Sequence, residues 1–180
     1  MDVCLITDSG GIETPHDRLQ VKYPQHKFLM NPEFLREVSA REDMLKPDRQ
    51  IVGYTSQSRE MAEAVLAILP PAPYTKIVSA TAAELIKYFT NSFLATKVIL
   101  ANEFYDLAQQ LGVDYKVVAE AVAQDARIGS SHMVVNPTDR GYGGKCLPKD
   151  VSAISQLVRE LGLDEGVITA VDKHNRRYRI

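Results

Sequence analysis

The sequence has few cysteines, no tryptophan and no long apolar run, and these shortages exclude several classes of protein. Its 180 residues contain two cysteines, too few for the disulfide framework of a secreted scaffold, and no C-x-x-C pair. The longest apolar runs, such as Ala64 to Leu69, fall far short of the ~20 residues that a membrane span needs. The run from Val3 to Ile6 is too short for a signal-peptide core. We therefore expect a cytoplasmic protein with two free thiols.

Neither sign of charge dominates the chain. There are 21 Lys and Arg against 23 Asp and Glu, and no block of like charge reaches five residues. This balance does not favour a nucleic-acid or anionic-membrane partner, and we expect neither. The four histidines have no metal-ligand spacing among themselves or with the cysteines, so we expect no metal site. An apolar share of 45% is that of an ordinary globular protein.

The first 72 residues alternate short apolar runs with helical patterns, which is typical of an α/β fold. No G-x-G-x-x-G dinucleotide fingerprint occurs, although Gly10-Gly11 and Gly141 to Gly144 are rich in glycine. The proline cluster Pro70 to Pro73 is the best candidate for a linker. The predicted strands are 1–7, 27–30 and 50–55, and the predicted helices are 15–23 and 59–69.

The clearest predicted element is a long helix after this linker. Thr81 to Glu84 reads as a capping box, and Gly112 stands where a C-cap glycine belongs. The roughly 30 residues between them would form a rod of about 45 Å, which usually spans domains or subunits. Asp114 is the predicted N-cap of a shorter helix that ends near Ala123.

A long segment without periodicity, from Asp125 to Lys145, precedes two more predicted helices. It holds four glycines and one proline, and loops of this length are uncommon unless they are functional. Pro148 occupies a favoured first-turn position of a helix that runs to Leu161 and ends at Gly162. The last predicted helix is 164–177.

Cys146 is the first candidate for chemistry, because it follows the glycine-rich loop and immediately precedes a predicted helix start. The helix dipole, together with Lys145 and Lys149, would stabilise its thiolate and make it nucleophilic. Asp150 follows one turn later and could position a water or take a proton. A buried, purely structural cysteine is an equally weighted alternative.

Two pairs of polar residues are spaced four apart, which puts both members on one face of a helix. Lys87 and Asn91 could together stabilise an oxyanion, although such a pair is more often a solvated stripe. Glu33 and Glu37 form a like-charged pair, which lowers the stability of a helix. A pair kept at such a cost in stability indicates a functional role. Two exposed glutamates near a helix N-terminus are the simpler explanation.

Four segments in this order resemble the UDP-glucose/GDP-mannose dehydrogenase family of nucleotide-sugar dehydrogenases. They are NPEFLRE with SARED and PDRQIVG after it, AELIKYFTNSFLATK, QDARIG, and GYGGKCLPKD. The resemblance implies an α/β remnant of a dinucleotide-binding domain in residues 1–72, followed by an all-α central dimerisation domain with one long helix in residues 73–180. It also implies a homodimer, and a chain truncated at both ends relative to the family.

The resemblance implies a role for each matching residue. Cys146 would be the covalent nucleophile, Asp150 would order the hydrolytic water, and Glu33 would act as acid/base. Lys87 and Asn91 would hold the substrate and stabilise oxyanions. The implied substrate contacts are Phe34, Leu35, Lys87, Asn91, Tyr142, Gly143 and Arg127, the last in the partner subunit's sugar site. The implied cofactor contacts are Glu37 and Lys149.

The implied reaction oxidises UDP-glucose to UDP-glucuronate with two NAD molecules, through an aldehyde, a thiohemiacetal on Cys146 and a thioester that water opens. Two alternatives stay open: a GDP-mannose dehydrogenase fragment, and a non-catalytic remnant that dimerises or binds sugar nucleotides. The pair Lys149-Asp150 argues against the UDP-N-acetylmannosamine branch. The opening LITDSGGIET departs from the family, so the threonine that the family places beside the nicotinamide is not assigned. Because the glycine fingerprint is absent, we expect this chain alone to be inactive.

Overall fold

The structure, a computed structural model, describes residues 2–8 and 15–179, and only the backbone of residues 15–17 and 37. The chain divides into two units, Met1–Phe89 and Thr90–Ile180. Along the described residues of the first unit the elements are β1 (Val3–Ile6), α1 (Pro15–Lys22), β2 (Lys27–Met30), α2 (Ala40–Leu45), β3 (Arg49–Tyr54), α3 (Ala62–Ile68), β4 (Tyr74–Ser79) and the start of α4 (Ala80–Leu111).

The first unit is built on a four-stranded mixed sheet of order β1-β2-β3-β4. The outer pairs β1-β2 and β3-β4 are parallel, and the central pair β2-β3 is antiparallel. Successive side chains of a strand point to opposite faces, so the neighbours Leu29 and Met30 enter different cores. Leu29 packs with Val65 of α3, and Met30 packs with Ala83 of α4. This arrangement confirms the predicted α/β segment.

The second unit is all-helical along its described residues, as predicted. It contains the rest of α4, then α5 (Tyr115–Val122), α6 (Cys146–Glu160) and α7 (Val167–Tyr178). At ~1.5 Å per residue the 32 residues of α4 give a rod of about 48 Å. Gly112 adopts a φ of 65°, and the Val113 amide donates to the carbonyl of Ala108, the pattern of a glycine-terminated helix.

Several predicted boundaries are confirmed in this unit. The Asp114 side chain accepts a hydrogen bond of 2.9 Å from the Lys116 amide and therefore caps α5. Residues 123–145 form no helix, and Gly162 ends α6 with a φ of 67°. None of the helices in the described part of the chain combines the length and apolarity needed to cross a membrane.

The predicted capping box at the start of α4 is wrong. β4 runs directly into the helix, so Ala80 is already helical and Thr81 lies inside the first turn. The cap is instead Ser79, whose hydroxyl accepts from the Ala82 amide at 3.3 Å. Glu84 is fully buried and lies too far inside the helix to cap it.

The helix expected to carry both Glu33 and Glu37 is also absent, because residues 31–36 are not helical and a single 3₁₀ turn begins only at Glu37. The proline at position 32 disfavours the helical conformation for Asn31. The Asn31 side chain bonds the Ile51 carbonyl of β3 at 2.8 Å, which fixes this segment against the sheet. The strand β4 and the helix α2 were not predicted.

The apolar strand β1 does not bury Cys4 completely. The cysteine is half-buried, because β1 is an edge strand of the sheet. Its neighbours Val3 and Leu5 are 42% and 39% exposed.

Candidate functional site

Cys146 is the first residue of α6, and its side chain is exposed. The preceding Gly144 has a φ of 73°, which only glycine adopts at little cost and which turns the chain into the helix. The thiol therefore stands at the positive end of the helix dipole, where an anion is stabilised. The alternative of a buried, structural cysteine is wrong for this residue.

Asp150 lies one turn after Cys146 and is fully buried. Its carboxylate accepts a hydrogen bond of 2.6 Å from Asn91 Nδ2, and its other oxygen lies 3.0 Å from Lys149 Nζ. A buried carboxylate needs such partners, because removing its charge from water costs several kcal/mol. Three predicted site residues are thus joined in one cluster. The predicted contact between Lys149 and a cofactor stays a prediction.

The glycine loop, Gly141–Gly144, is separated from Cys146 by one residue. The residues that hold this loop in place were not predicted from the sequence. The amide and carbonyl of Tyr142 bond the side chain of Asn175 at 2.7 and 3.0 Å. Asn102 accepts from Arg140 Nε at 2.6 Å and from the Gly141 amide at 3.2 Å. These two asparagines lie 33 to 39 residues from the loop in sequence, so no local motif could have found them.

Tyr142 was predicted to contact substrate, but the structure uses it to anchor the loop. Its ring is 3% exposed and packs with Ala95 and Val151 in the core, and this burial raises the pKa of its hydroxyl. The predicted substrate contact of Tyr142 stays a prediction. At Gly143, a Cβ atom would collide with the Arg179 guanidinium, so this side of the loop is covered by Arg179.

The first unit holds Lys87 on α4, one turn before Asn91. Lys87 is 5% exposed, so it does not belong to a solvated stripe, and its Nζ lies 3.3 Å from Asp8 Oδ1. The pairing of a buried ammonium with a carboxylate keeps its charge compensated. Asp8, two residues after the end of β1, was not predicted as a partner of Lys87.

The segment after β2 carries the other predicted residues of this unit. Glu33 is exposed, and Phe34 and Leu35 are half-buried. The guanidinium of Arg49 stacks 3.9 Å from the centre of the Phe34 ring, which fixes that ring. The side chain of Glu37 lies outside the described residues.

Arg127 stands on the surface of the second unit. Its side chain is 88% exposed and donates three hydrogen bonds to the Asp125 carboxylate, of 3.0 and 3.2 Å from Nε and 2.6 Å from Nη2. These bonds lower the pKa of Asp125 and raise that of Arg127. The guanidinium is thus pre-oriented by a neighbour two residues away.

Within the described residues, no group of three or more His, Cys, Asp or Glu side chains could hold a metal ion.

Known proteins share the sequence pattern and the fold of this chain. The sequence model of the UDP-glucose/GDP-mannose dehydrogenase family, central domain, matches residues 81–177. The chain belongs to this family. Within it, the UDP-glucose 6-dehydrogenase of Rickettsia conorii is 41% identical over 150 residues, which are 82% of this chain and 33% of the relative. The UDP-glucose 6-dehydrogenase TuaD of Bacillus subtilis is 35% identical over 152 residues, 83% of this chain and 32% of the relative.

A solved structure of the family has the same fold. The UDP-glucose dehydrogenase of Pyrobaculum islandicum superposes with a TM-score of 0.84 and 35% identity, over 97% of this chain and 41% of that chain. A GDP-mannose dehydrogenase from Pseudomonas aeruginosa is less similar, with a TM-score of 0.52 and 28% identity over 85% of this chain and 35% of that chain. The chain therefore spans about a third of the length of the curated relatives it matches, such as 33% for the Rickettsia protein.

The two cysteines are expected to differ in reactivity. Cys146 is exposed at a helix start, whereas Cys4 is half-buried in a strand, so iodoacetamide should modify Cys146 first. Peptide mapping by mass spectrometry at short times would show the order. Faster modification of Cys4 in the folded protein would contradict this assignment of the reactive thiol.

Proposed function

We propose that residues 1–180 hold the sugar and the reactive thiol of an NAD-dependent UDP-glucose 6-dehydrogenase, an oxidoreductase of nucleotide-sugar metabolism. The observation that carries this proposal is the position of Cys146, exposed at the first turn of α6, with Asp150 one turn on. Buried Asp150 is held by Asn91 and Lys149. A thiol and an oriented carboxylate are what a thioester mechanism needs. We place the protein in the cytoplasm.

Each proposed catalytic residue has a task in the final, hydrolytic step. Water adds to the carbonyl carbon of a thioester on Cys146, the C–S bond breaks, and the sulfur leaves as a thiolate. Asp150 accepts the proton from the attacking water, and the Asn91 amide keeps that carboxylate in place. Lys87 and Asn91 are the donors that we assign to the oxyanion. Glu33 is the proposed acid/base for this hydrolysis.

The residues present here do not fit the pyrophosphate of a dinucleotide. Such a site needs a glycine turn that brings backbone amides close to the phosphates. The described glycine-rich turn at a helix start instead carries Cys146, and one flank of it is covered by Arg179. The sequence contains no G-x-G-x-x-G. NAD is therefore proposed from the family alone, with Glu37 and Lys149 as contacts, and we assign no step to it.

Two other functions are weaker. A GDP-mannose dehydrogenase is disfavoured by the lower similarity to the solved GDP-mannose enzyme than to the UDP-glucose enzyme, 28% against 35% identity. A non-catalytic module that only binds sugar nucleotides does not explain why an exposed thiol and a buried Asp150 lie together on α6.

Titration with nucleotide sugars tests the proposed function. UDP-glucose should bind more tightly than GDP-mannose in calorimetry. Arg127→Ala should weaken UDP-glucose binding about tenfold, because a hydrogen bond to a charged group contributes roughly 1.5–3 kcal/mol. The matched control is Arg159→Ala, which removes another surface arginine paired with a carboxylate, Glu165 at 2.9 Å. Equal weakening by both variants would remove the Arg127 assignment, and no binding of UDP-glucose would remove the proposed function.

We also propose that the protein is a homodimer formed by α4. Five large apolar side chains repeat along this helix at intervals of seven, four, three and four residues, and each is more than half exposed: Phe93, Leu100, Phe104, Leu107 and Leu111. This spacing puts them on one stripe of the helix. An exposed apolar stripe of this length favours association with a second copy.

Sedimentation velocity tests the dimer. Phe104→Glu puts a charge in the middle of the stripe and should convert a dimer at micromolar concentration into a monomer, because burying an unpaired charge costs several kcal/mol. Val134→Glu is the control, since Val134 is 89% exposed and lies outside α4. A parent chain that sediments as a compact monomer would contradict the proposal.

A further inference from the structure

We propose that Asn175 is a positioning residue for the reactive thiol: it fixes the glycine loop, and the loop sets the place of Cys146 at the start of α6. The inference rests on the proposed function, in which Cys146 is the nucleophile. Asn175 belongs to α7 and is 7% exposed. Because it is buried, we assign it no contact with substrate, and its effect on Cys146 is transmitted by the loop.

The carboxamide of Asn175 bonds the backbone of Tyr142 as a neighbouring peptide group would. Its Oδ1 accepts from the Tyr142 amide at 2.7 Å, and its Nδ2 donates to the Tyr142 carbonyl at 3.0 Å. A carboxamide has both a donor and an acceptor, as a peptide group does, so one side chain satisfies both groups of Tyr142. The Tyr142 carbonyl also accepts from Arg179 Nε at 3.1 Å. Loss of Asn175 would therefore leave the buried Tyr142 amide without its acceptor, at the full desolvation penalty of that group.

Contact with Asn175 also explains the glycine at position 141. A Cβ atom there would lie 2.5 Å from Asn175 Oδ1, and the residue has a φ of 74°. Any larger residue would therefore both strain the backbone and displace the carboxamide. The backbone of the loop at Gly141 is therefore in close contact with α7.

A second asparagine, on α4, also holds the loop. Asn102 is 2% exposed, and its Oδ1 accepts from Arg140 Nε at 2.6 Å and from the Gly141 amide at 3.2 Å. Its own Nδ2 donates to the Val98 carbonyl at 2.8 Å, which fixes the rotamer. Two buried asparagines on different helices thus form hydrogen bonds to consecutive residues of the loop.

The stretch of chain from Tyr142, which these hydrogen bonds hold, to Cys146 is short. Only Gly143, Gly144 and Lys145 lie between Tyr142 and Cys146, and each residue can span at most ~3.6 Å. A displacement of Tyr142 therefore reaches the first turn of α6. The placement of the thiol at the helix dipole depends on the same hydrogen bonds that hold Tyr142.

The decisive readout is the alkylation rate of Cys146 relative to Cys4 in the same chain, measured with iodoacetamide and mass mapping. Asn175→Leu keeps the size of the side chain but removes both hydrogen bonds. It should lower this ratio about tenfold, because a misplacement of ~1 Å can alter a reacting geometry by up to ~100-fold. An unchanged ratio in a folded Asn175→Leu variant would overturn the proposal.

A matched control separates positioning from general stability. Tyr115→Phe removes one hydrogen bond of 2.8 Å to the Met133 carbonyl, upstream of the glycine loop. It should lower stability but leave the ratio unchanged. If it lowers the ratio as much as Asn175→Leu does, the effect is structural and the proposal fails.

Gly141→Ala provides a second route if Asn175→Leu does not fold. It disturbs the same contact from the side of the loop and should also lower the ratio. Gly112→Ala is its control, because Gly112 has a φ of 65° but no atom within 4 Å of a Cβ. Equal ratios in the two glycine variants would contradict the proposal. Titration of the parent chain with UDP-glucose reports separately on the proposed function, since loss of binding there leaves the alkylation result intact.

Discussion

Gly53→Val is expected to lower the free energy of unfolding of the first unit by at least about 3 kcal/mol, the upper part of the range for overpacked cores. Gly53 lies in β3 under the start of α4. A Cβ atom there would lie 2.7 Å from Ala83 Cβ and 2.8 Å from Ala80 Cα. The Ala80 contact is with backbone, so no rotamer change can relieve it, and the helix would have to move off the sheet.

Urea unfolding followed by circular dichroism measures this loss. The control is Gly166→Val, because a Cβ at Gly166 meets no atom within 4 Å. That variant should cost less than about 1 kcal/mol, the scale of a changed helix cap. If both variants lose the same stability, close packing of β3 against α4 is not what Gly53 provides.

The part of the fold that the sequence predicted is the part that local patterns determine. Gly112 and Asp114 mark helix ends through their own backbone or side chain, and the structure confirms both. The start of α4 was misplaced because Thr81 and Glu84 match a capping pattern that tertiary structure overrides. The strand β4 ends where the helix begins, which gives the capping role to Ser79.

Long-range pairing accounts for what the sequence did not predict in the sheet. β4 was missed because its neighbour β3 lies 25 residues earlier, as in the pair Arg49 and Tyr74. The antiparallel pairing of β2 with β3 likewise depends on contacts between distant residues. The segment around Glu33 was predicted as helix from spacing alone, whereas Asn31 fastens it to β3.

The same distinction applies to the candidate site. Cys146, Lys149 and Asp150 lie within five residues on one helix, so helical spacing was enough to place them together. Asn175 and Asn102 support the loop from positions more than 30 residues away. Sequence motifs thus identify the groups proposed for chemistry and two partners of Asp150, Asn91 and Lys149, while the asparagines that hold the glycine loop emerge only from tertiary contacts.

The purified 180-residue chain is expected to form no NADH from UDP-glucose and NAD, even where it binds the nucleotide sugar. Dinucleotide binding in this fold depends on a glycine turn that brings the pyrophosphate to a helix start, and on an acidic residue that holds the ribose. Residues 1–180 contain no G-x-G-x-x-G, and the described glycine turn at α6 presents Cys146 instead.

The absorbance of NADH measures this outcome, with Cys146→Ala as the control for enzymes carried over from the expression host. Equal, background rates in the parent and in Cys146→Ala are expected. Turnover by the parent that disappears in Cys146→Ala would contradict the prediction. The dinucleotide would then have to bind without the glycine fingerprint, and Glu37 and Lys149, the two proposed contacts, would be the first residues to replace in order to locate it.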